Sequence, residues 1–220
     1  MEWGLLEALP AEGRRAVLAS SRRRSFARGE VVFHEGDPAD TVHFVAEGRL
    51  AVRRSTATGD TVTFSVLGRG DAFGEMAMLS PQAHRTSTVV ALEPAVTLSL
   101  GFGDVQRLRS GHPAVERLLI ELLADRVARL SDLLLEALHV PADDRVVRRL
   151  SELCIRYGTA PDGAPTVIPL TQREIGELAG AARPTTNRVL RQLAVERVVV
   201  LHRGSIEVRD PAGLARRAAV

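Results

Sequence analysis

The 220-residue sequence predicts an α+β protein made of an N-terminal all-β barrel, roll or sandwich, a long helix and a C-terminal winged helix-turn-helix. Three observations carry this. Residues 28–100 break into short β-rich runs with turn signals at intervals of roughly 8–12 residues. Residues 113–139 run without glycine and with only an opening proline. Residues 170–208 place two helical periods before a two-strand pattern. The expected divisions are 1–111, 112–140 and 141–220.

Taken in order, a short helix is expected around Pro10–Ser20. The strand runs are EVVFHEG, TVHFVAEG, LAVRRS, TVTFSVLG, STVVAL and AVTLSL. Turn signals between them include Glu35-Gly36-Asp37-Pro38, Glu47-Gly48, Thr58-Gly59-Asp60, Gly68-Arg69-Gly70-Asp71 and Glu93-Pro94. Character changes at Gly103. The helix from Pro113 to His139 spans about 40 Å at ~1.5 Å per residue. Ile120, Leu123, Val127, Leu130, Leu134 and Ala137 fall at alternating steps of three and four, a seam suited to a parallel dimeric coiled coil. Leu119, Leu122 and Leu133 lie off that seam and are expected to pack on the β-domain. The simpler alternative is a helix buried within its own domain.

Pro141 stops the long helix, and Asp143 or Asp144 is expected to cap the next, DRVVRRLSELCIRYG. Thr159–Pro165 reads as a loop. Thr171 with Glu174 forms a capping box pattern, Gly180 ends that helix, and Arg183-Pro184 starts another. Ile175, Leu178, Ala179, Val189, Leu190 and Leu193 make the inward set, and VERVVVLHRGSIEV makes a wing hairpin turning at His202-Arg203-Gly204.

Composition bounds the function. The opening residues lack a signal-peptide pattern, and no run of ~18 apolar residues is free of charge, so neither export nor a membrane span is expected and the cytoplasm is the default. The single Cys154 excludes an internal disulfide and cannot alone hold a structural metal or an iron–sulfur cluster. Every one of the 29 cationic side chains is Arg, a compositional bias. The acidic and basic residues of the sequence give residues 1–140 a net charge of −2 (16 Arg, 18 acids) and residues 141–220 a net charge of +4 (13 Arg, 9 acids). A basic C-terminal third predicts contact with a polyanion.

Double-stranded DNA is the expected polyanion. Arg183, Thr185, Thr186, Asn187, Arg188 and Arg191 are read as the outward face of the second helix, rich in donors. Arg can fork onto guanine O6/N7 and Asn onto adenine, while Thr171, Arg173 and Thr185 suit phosphates near helix N-termini. Arg183 and Arg188 suggest guanines; Asn187 suits a base or a phosphate.

From about residue 5 to 213 the chain resembles the catabolite activator/fumarate–nitrate regulator (Crp/Fnr) family of bacterial transcription factors, its cAMP-receptor-like branch. The resemblance rests on the β-roll, the segment FGEMAMLSPQAHRTS, the long helix and LTQREIGELAGAARPTTNRVLRQL, in that order. It implies an effector-sensing domain, a dimerisation helix and a DNA-binding domain over the three divisions above. It also implies a homodimer on a two-fold operator and contact with RNA polymerase. Pro184 stands where that branch carries a Glu that accepts from cytosine, so its whole half-site does not transfer.

In the family, the FGE…RTS segment resembles a cyclic-nucleotide cassette. A cyclic phosphodiester needs a positive partner and donors. Arg85 would supply the charge, Thr86 a hydroxyl, and amides near Gly74, Glu75 and Met76 further donors. Glu75 would accept from the ribose 2′-OH, and Val52 and Phe64 would pack on the base. The structural alternative is a Glu75–Arg85 ion pair in a turn. On the long helix the family's Thr-Ser base contacts correspond to Leu130-Ser131, which keeps one hydroxyl and predicts altered base selectivity. Arg126, one turn earlier, is expected near the ligand or in solvent. The expected mechanism is a population shift favoured by cAMP or another cyclic nucleotide as allosteric effector, with Pro141 and Asp143–Arg145 as hinge.

No metal, no other cofactor and no enzymatic activity are expected, because the histidines show no metal spacing and no clustered His–carboxylate set is present. The alternatives are a ligand-independent regulator of the same family and a cyclic-nucleotide-binding regulatory subunit docking on protein.

Overall fold

The structure, a computed structural model, describes residues 10–56, 61–79, 84–111, 113–158 and 164–219. The expected Thr58-Gly59-Asp60 turn and residues 159–163 of the expected loop lie outside them. The chain divides into two compact units, Met1–Arg54 with Phe64–Leu130 and Ser55–Thr63 with Ser131–Val220.

The first unit opens with helix α1 (Ala11–Ser20). Strands β1 (Arg22–Phe26), β2 (Val31–Phe33), β3 (Thr41–Glu47), β4 (Leu50–Ser55), β5 (Thr61–Leu67) and β6 (Ala72–Phe73) lead to a short helix α2 (Glu75–Leu79). Strands β7 (Thr88–Ala91) and β8 (Ala95–Gly101) follow, then helix α3 (Phe102–Gly111). The strands form two four-stranded sheets, ordered β1-β8-β3-β6 and β2-β7-β4-β5. This is the expected β-roll.

Strand β3, TVHFVAE, shows why the roll forms. Its residues alternate between two faces, yet nearly all are buried, because both faces are covered. Val42, Phe44 and Ala46 pack with Val17 of α1, Val105 and Leu108 of α3, and Val115 and Leu122 of the long helix. Val45, on the opposite face, joins Phe26, Leu50, Leu67, Phe73 and Val89 between the sheets. Strand β1 was not legible as a strand: RRRSF pairs with β8 but buries only Phe26, so it carries no apolar alternation.

The long helix α4 (Pro113–His139) has the expected bounds. Leu122 is buried and Leu119 packs beside it, as the off-seam set predicts, while Leu133 is half-buried. On the seam Ile120 and Val127 are 62% and 64% exposed. Leu130, Leu134 and Ala137 are exposed too, and Leu123 is half-buried.

In the second unit α5 (Ala142–Tyr157) buries Val146, Leu150, Leu153, Cys154 and Tyr157. Its N-cap is Pro141, with no side-chain cap, and Asp143 and Asp144 sit in the first turn. Neither aspartate caps the helix as expected; the fixed φ of Pro141 already sets the entry, and the two stand in the first turn, where negative charge suits the N-terminal end of the helix dipole. Strand β9 (Thr166–Ile168), helices α6 (Gln172–Ala179) and α7 (Arg183–Val195), strands β10 (Val199–His202) and β11 (Ser205–Val208), and helix α8 (Pro211–Ala218) follow. The hairpin β10-β11 is the expected wing, extended by β9 into a three-stranded sheet. Thr171 and Glu174 form a reciprocal capping box, and Gly180 closes α6 in the left-handed conformation at φ 56°.

Candidate ligand site and nucleic-acid interface

The β6–α2 junction brings Gly74 and Glu75 against Arg85. Gly74 has φ +88°, and a Cβ there would lie 2.7 Å from Arg85 Nη1 and 3.0 Å from the Thr41 carbonyl oxygen. Only glycine fits this approach. Glu75 and Arg85 are 1% and 5% exposed.

They do not form the ion pair of the structural alternative. Arg85 Nη1 donates to the Thr41 carbonyl at 2.7 Å and more weakly to that of Gly74 at 3.4 Å. Its Nη2 donates to Thr41 Oγ1 at 2.8 Å, and the guanidinium lies 4.1 Å from the Phe33 ring centre. Glu75 Oε1 instead accepts from Arg126 Nε at 3.3 Å, and Arg126 Nη2 also donates to the Ala72 carbonyl at 3.2 Å. Arg126 is thus part of the site rather than a solvent-facing residue.

On Glu75 and Arg85 two of the buried polar atoms, Glu75 Oε2 and Arg85 Nε, remain without a hydrogen-bond partner. Each orphan costs about 1–3 kcal/mol while unmade. One is an acceptor on an anion and the other a donor on a cation. A hydroxylated anion can satisfy both, giving a hydroxyl to Glu75 and an oxyanion to Arg85. Burial pulls the Arg85 guanidinium below its ordinary pKa, opposed by the carboxylates of Asp40, Asp37 and Glu75. It remains a cation.

Val52 is half-buried against the inter-sheet core, and Phe64 on β5 is half-buried. Met76 and Thr86 are exposed, and Ser131 is exposed within the second unit. Sequence reasoning missed Thr41, Phe33 and His43. The available signal was the polar pair Thr41 and His43 on one face of an otherwise apolar strand.

His43 is buried, stacked on Phe73 with ring centres 4.9 Å apart. Its ring nitrogens lie 3.2 Å from Thr97 Oγ1 and 3.3 Å from Thr41 Oγ1. Burial, then the charges of Arg85 and Arg24, lower its pKa to about 3, with Asp40 opposing. The folded state therefore requires the neutral ring. Its contribution is complete above the unfolded value of about 6.5 and is lost as pH falls toward about 3, at about 1 kcal/mol per pH unit. Urea titrations from pH 7 to pH 4 should show a shallower acid loss for His43→Gln than for wild type. Parallel losses would count against this role.

In the second unit α6 and α7 pack as a helix-turn-helix. Ile175, Ala179, Val189, Leu190 and Leu193 are buried, and Leu178 is half-buried. Arg145 ties the turn down: Nε donates to the Ala179 carbonyl, Nη2 to that of Gly180, and Nη1 to that of Val140, at 2.8–2.9 Å. One guanidinium thereby satisfies carbonyls at the ends of two helices.

Arg183, Arg188 and Arg191 are exposed, and Thr185 and Asn187 half-buried. Asn187, Arg188, Arg191 and Gln192 line a shallow open depression with Pro184 and Val195. Thr171 is engaged in its capping box, and exposed Arg173 lies 3.3 Å from Glu177. Thr186 corrects the expected outward set. It is 1% exposed, and its hydroxyl donates to the Ala182 carbonyl at 3.2 Å. It precedes Val189, Leu190 and Leu193 by three, four and seven residues, so it shares their inward face. A Cβ on Gly176 would lie 2.8 Å from its Oγ1, which makes Thr186 a helix-packing residue.

Among the described residues no helix is long and apolar enough to cross a membrane, and no group of three or more His, Cys, Asp or Glu is placed to hold a metal ion.

Comparison with known proteins gives a concordant result. A family model for the cyclic nucleotide-binding domain matches residues 23–112, and one for the Crp-like helix-turn-helix domain matches residues 144–217. The chain is 34% identical over 209 residues to the cyclic AMP receptor protein of Thermus thermophilus, covering 94% of this chain and 93% of that one. It is 29% identical over 216 residues to the CRP-like cAMP-activated global transcriptional regulator of Mycobacterium tuberculosis, covering 98% and 96%. In fold it resembles the c-di-GMP-responsive global regulator CLP of Xanthomonas campestris, with a TM-score of 0.79 at 20% identity over 90% of this chain and 99% of that one.

Proposed function

Because the chain belongs to the Crp/Fnr family of DNA-binding transcriptional regulators, we propose that a cyclic nucleotide, cAMP foremost, sets its affinity for DNA. The observation that carries this is the buried pair of orphans, Glu75 Oε2 and Arg85 Nε, beside the Gly74 cradle. Arg85 and Thr86 take the cyclic phosphate, Glu75 takes the ribose hydroxyl while Arg126 holds its other oxygen, and Val52 and Phe64 flank the base. Two relatives whose names record cAMP support that nucleotide over cGMP.

Residues 1–111 sense the effector, 112–140 join two copies through the exposed seam, and 141–220 read DNA. The working form is a cytoplasmic homodimer that also meets RNA polymerase and catalyses no reaction. Ligand acts by binding one dimer geometry more tightly than another; without that difference nothing shifts. Isothermal titration calorimetry with cAMP and with cGMP tests the pocket. Heat with cAMP supports it, and no heat with either favours a regulator that works without nucleotide.

On DNA, the exposed arginines of α7 read base edges and the first turns of α6 and α7 meet phosphates. Arg188→Ala should weaken binding to a preferred duplex by about 1–3 kcal/mol and relax choice at one base pair. An unchanged sequence preference in a selection from random duplexes would remove Arg188 from base readout.

A further inference from the structure

The second unit holds an ion pair that the DNA-binding role leaves unexplained. Arg188 Nη2 donates to both carboxylate oxygens of Asp143, at 2.7 Å each. Asp143 lies in the first turn of α5, does not cap that helix, and is followed by Asp144, which offers the same charge to the dipole. Its orientation toward α7 therefore serves no evident need of its own helix.

Which nitrogen it occupies matters. A guanidinium has two edges that present adjacent parallel N–H groups, Nε with Nη2 and Nη1 with Nη2. Both edges include Nη2. Forked contact with guanine O6 and N7 needs one of those edges. A single phosphate oxygen needs only one N–H, and Nε and Nη1 lie outside the pair. With both Asp143 oxygens 2.7 Å from Nη2, the carboxylate takes up at least one of the two N–H groups on that nitrogen, which blocks at least one edge, and its negative charge repels the electron-rich O6/N7 face of guanine from the other. Both side chains are substantially exposed, so the pair is weak enough to exchange.

Given the base contact proposed above for Arg188, we propose that Asp143 is a specificity-determining residue that acts through it. The carboxylate competes with guanine for the shared nitrogen and lowers affinity for the preferred duplex more than for random DNA.

The test is a double-mutant cycle on the full-length protein, with and without cAMP, read by fluorescence anisotropy. The probes are a random duplex and the duplex that wild type selects from a random pool. Asp143→Asn should tighten binding to the selected duplex by about tenfold, roughly threefold for each of two half-sites, and to the random duplex by less. The gain should vanish in an Arg188→Ala background. Asp144→Asn, the charge control, should shift both duplexes equally and by less.

Three results would overturn the proposal: equal effects of Asp143→Asn and Asp144→Asn, a gain that persists without Arg188, or a loss of affinity for the selected duplex. That last result would make Asp143 a support for Arg188 rather than its competitor. Failure of wild type to select any duplex would instead overturn the base-reading role of α7 itself.

Discussion

Arg85→Ala should abolish measurable cAMP binding, and Arg85→Lys should restore only part of it. Removing one member of a buried, hydrogen-bonded charge pair costs about 2–5 kcal/mol, or roughly 30-fold to several thousand-fold in affinity. Lysine keeps the charge but loses the planar fork. The lysine variant also guards against a trivial outcome, because Arg85 lies over Phe33 and bonds Thr41, and alanine there loosens the interior as well. Glu75→Gln should weaken binding by a smaller factor and with a different signature, since it keeps an acceptor oxygen while releasing Arg126 from its ion pair. Calorimetry checks all three. Undiminished binding by folded Arg85→Ala would place the nucleotide elsewhere or nowhere.

Val127→Glu should dissociate the proposed homodimer and abolish specific DNA binding. Val127 is 64% exposed in the single chain, so the substitution leaves the folded unit intact. In a paired seam it would set two carboxylates against each other in an apolar contact, a loss of several kcal/mol. A monomer also forfeits the effective concentration that couples two half-sites, worth about 10²–10⁴ in avidity. Sedimentation equilibrium reads the first effect and anisotropy with the selected duplex the second. A variant that still sediments as a dimer would move the interface off this seam.

How much of this was legible depended on whether a residue's role was local. The capping box at Thr171 and Glu174, the left-handed Gly180 and the bounds of α4 are set by neighbours within a few positions, and all follow from spacing. Strand β1 owes its existence to a distant partner: Arg22–Ser25 gain order by pairing with β8 and carry no apolar alternation of their own. Helix α8 is a different miss, because its start is locally marked by Asp210 as a side-chain N-cap and Pro211 in the first turn.

At the candidate site, the resemblance of the FGE…RTS segment to a cyclic-nucleotide cassette pointed to Gly74, Glu75 and Arg85 but not to how their charges pair. The partner of Glu75 is 51 residues away and that of Arg85 is 44 residues away. No local rule connects them. Thr186 is the opposite case. Its three- and four-residue spacing to Val189 and Leu190 marked it as inward, and the attraction of a hydroxyl among arginines obscured that.

A nucleotide held by Glu75 and Arg85 is proposed to change what the second unit does to DNA. The most direct test is the affinity of full-length protein for its selected duplex, measured by anisotropy without nucleotide and with saturating cAMP. Affinity should rise at least tenfold with cAMP in the wild type and not at all in Arg85→Ala. Equal affinity under both conditions, with cAMP shown by calorimetry to be bound, would contradict it.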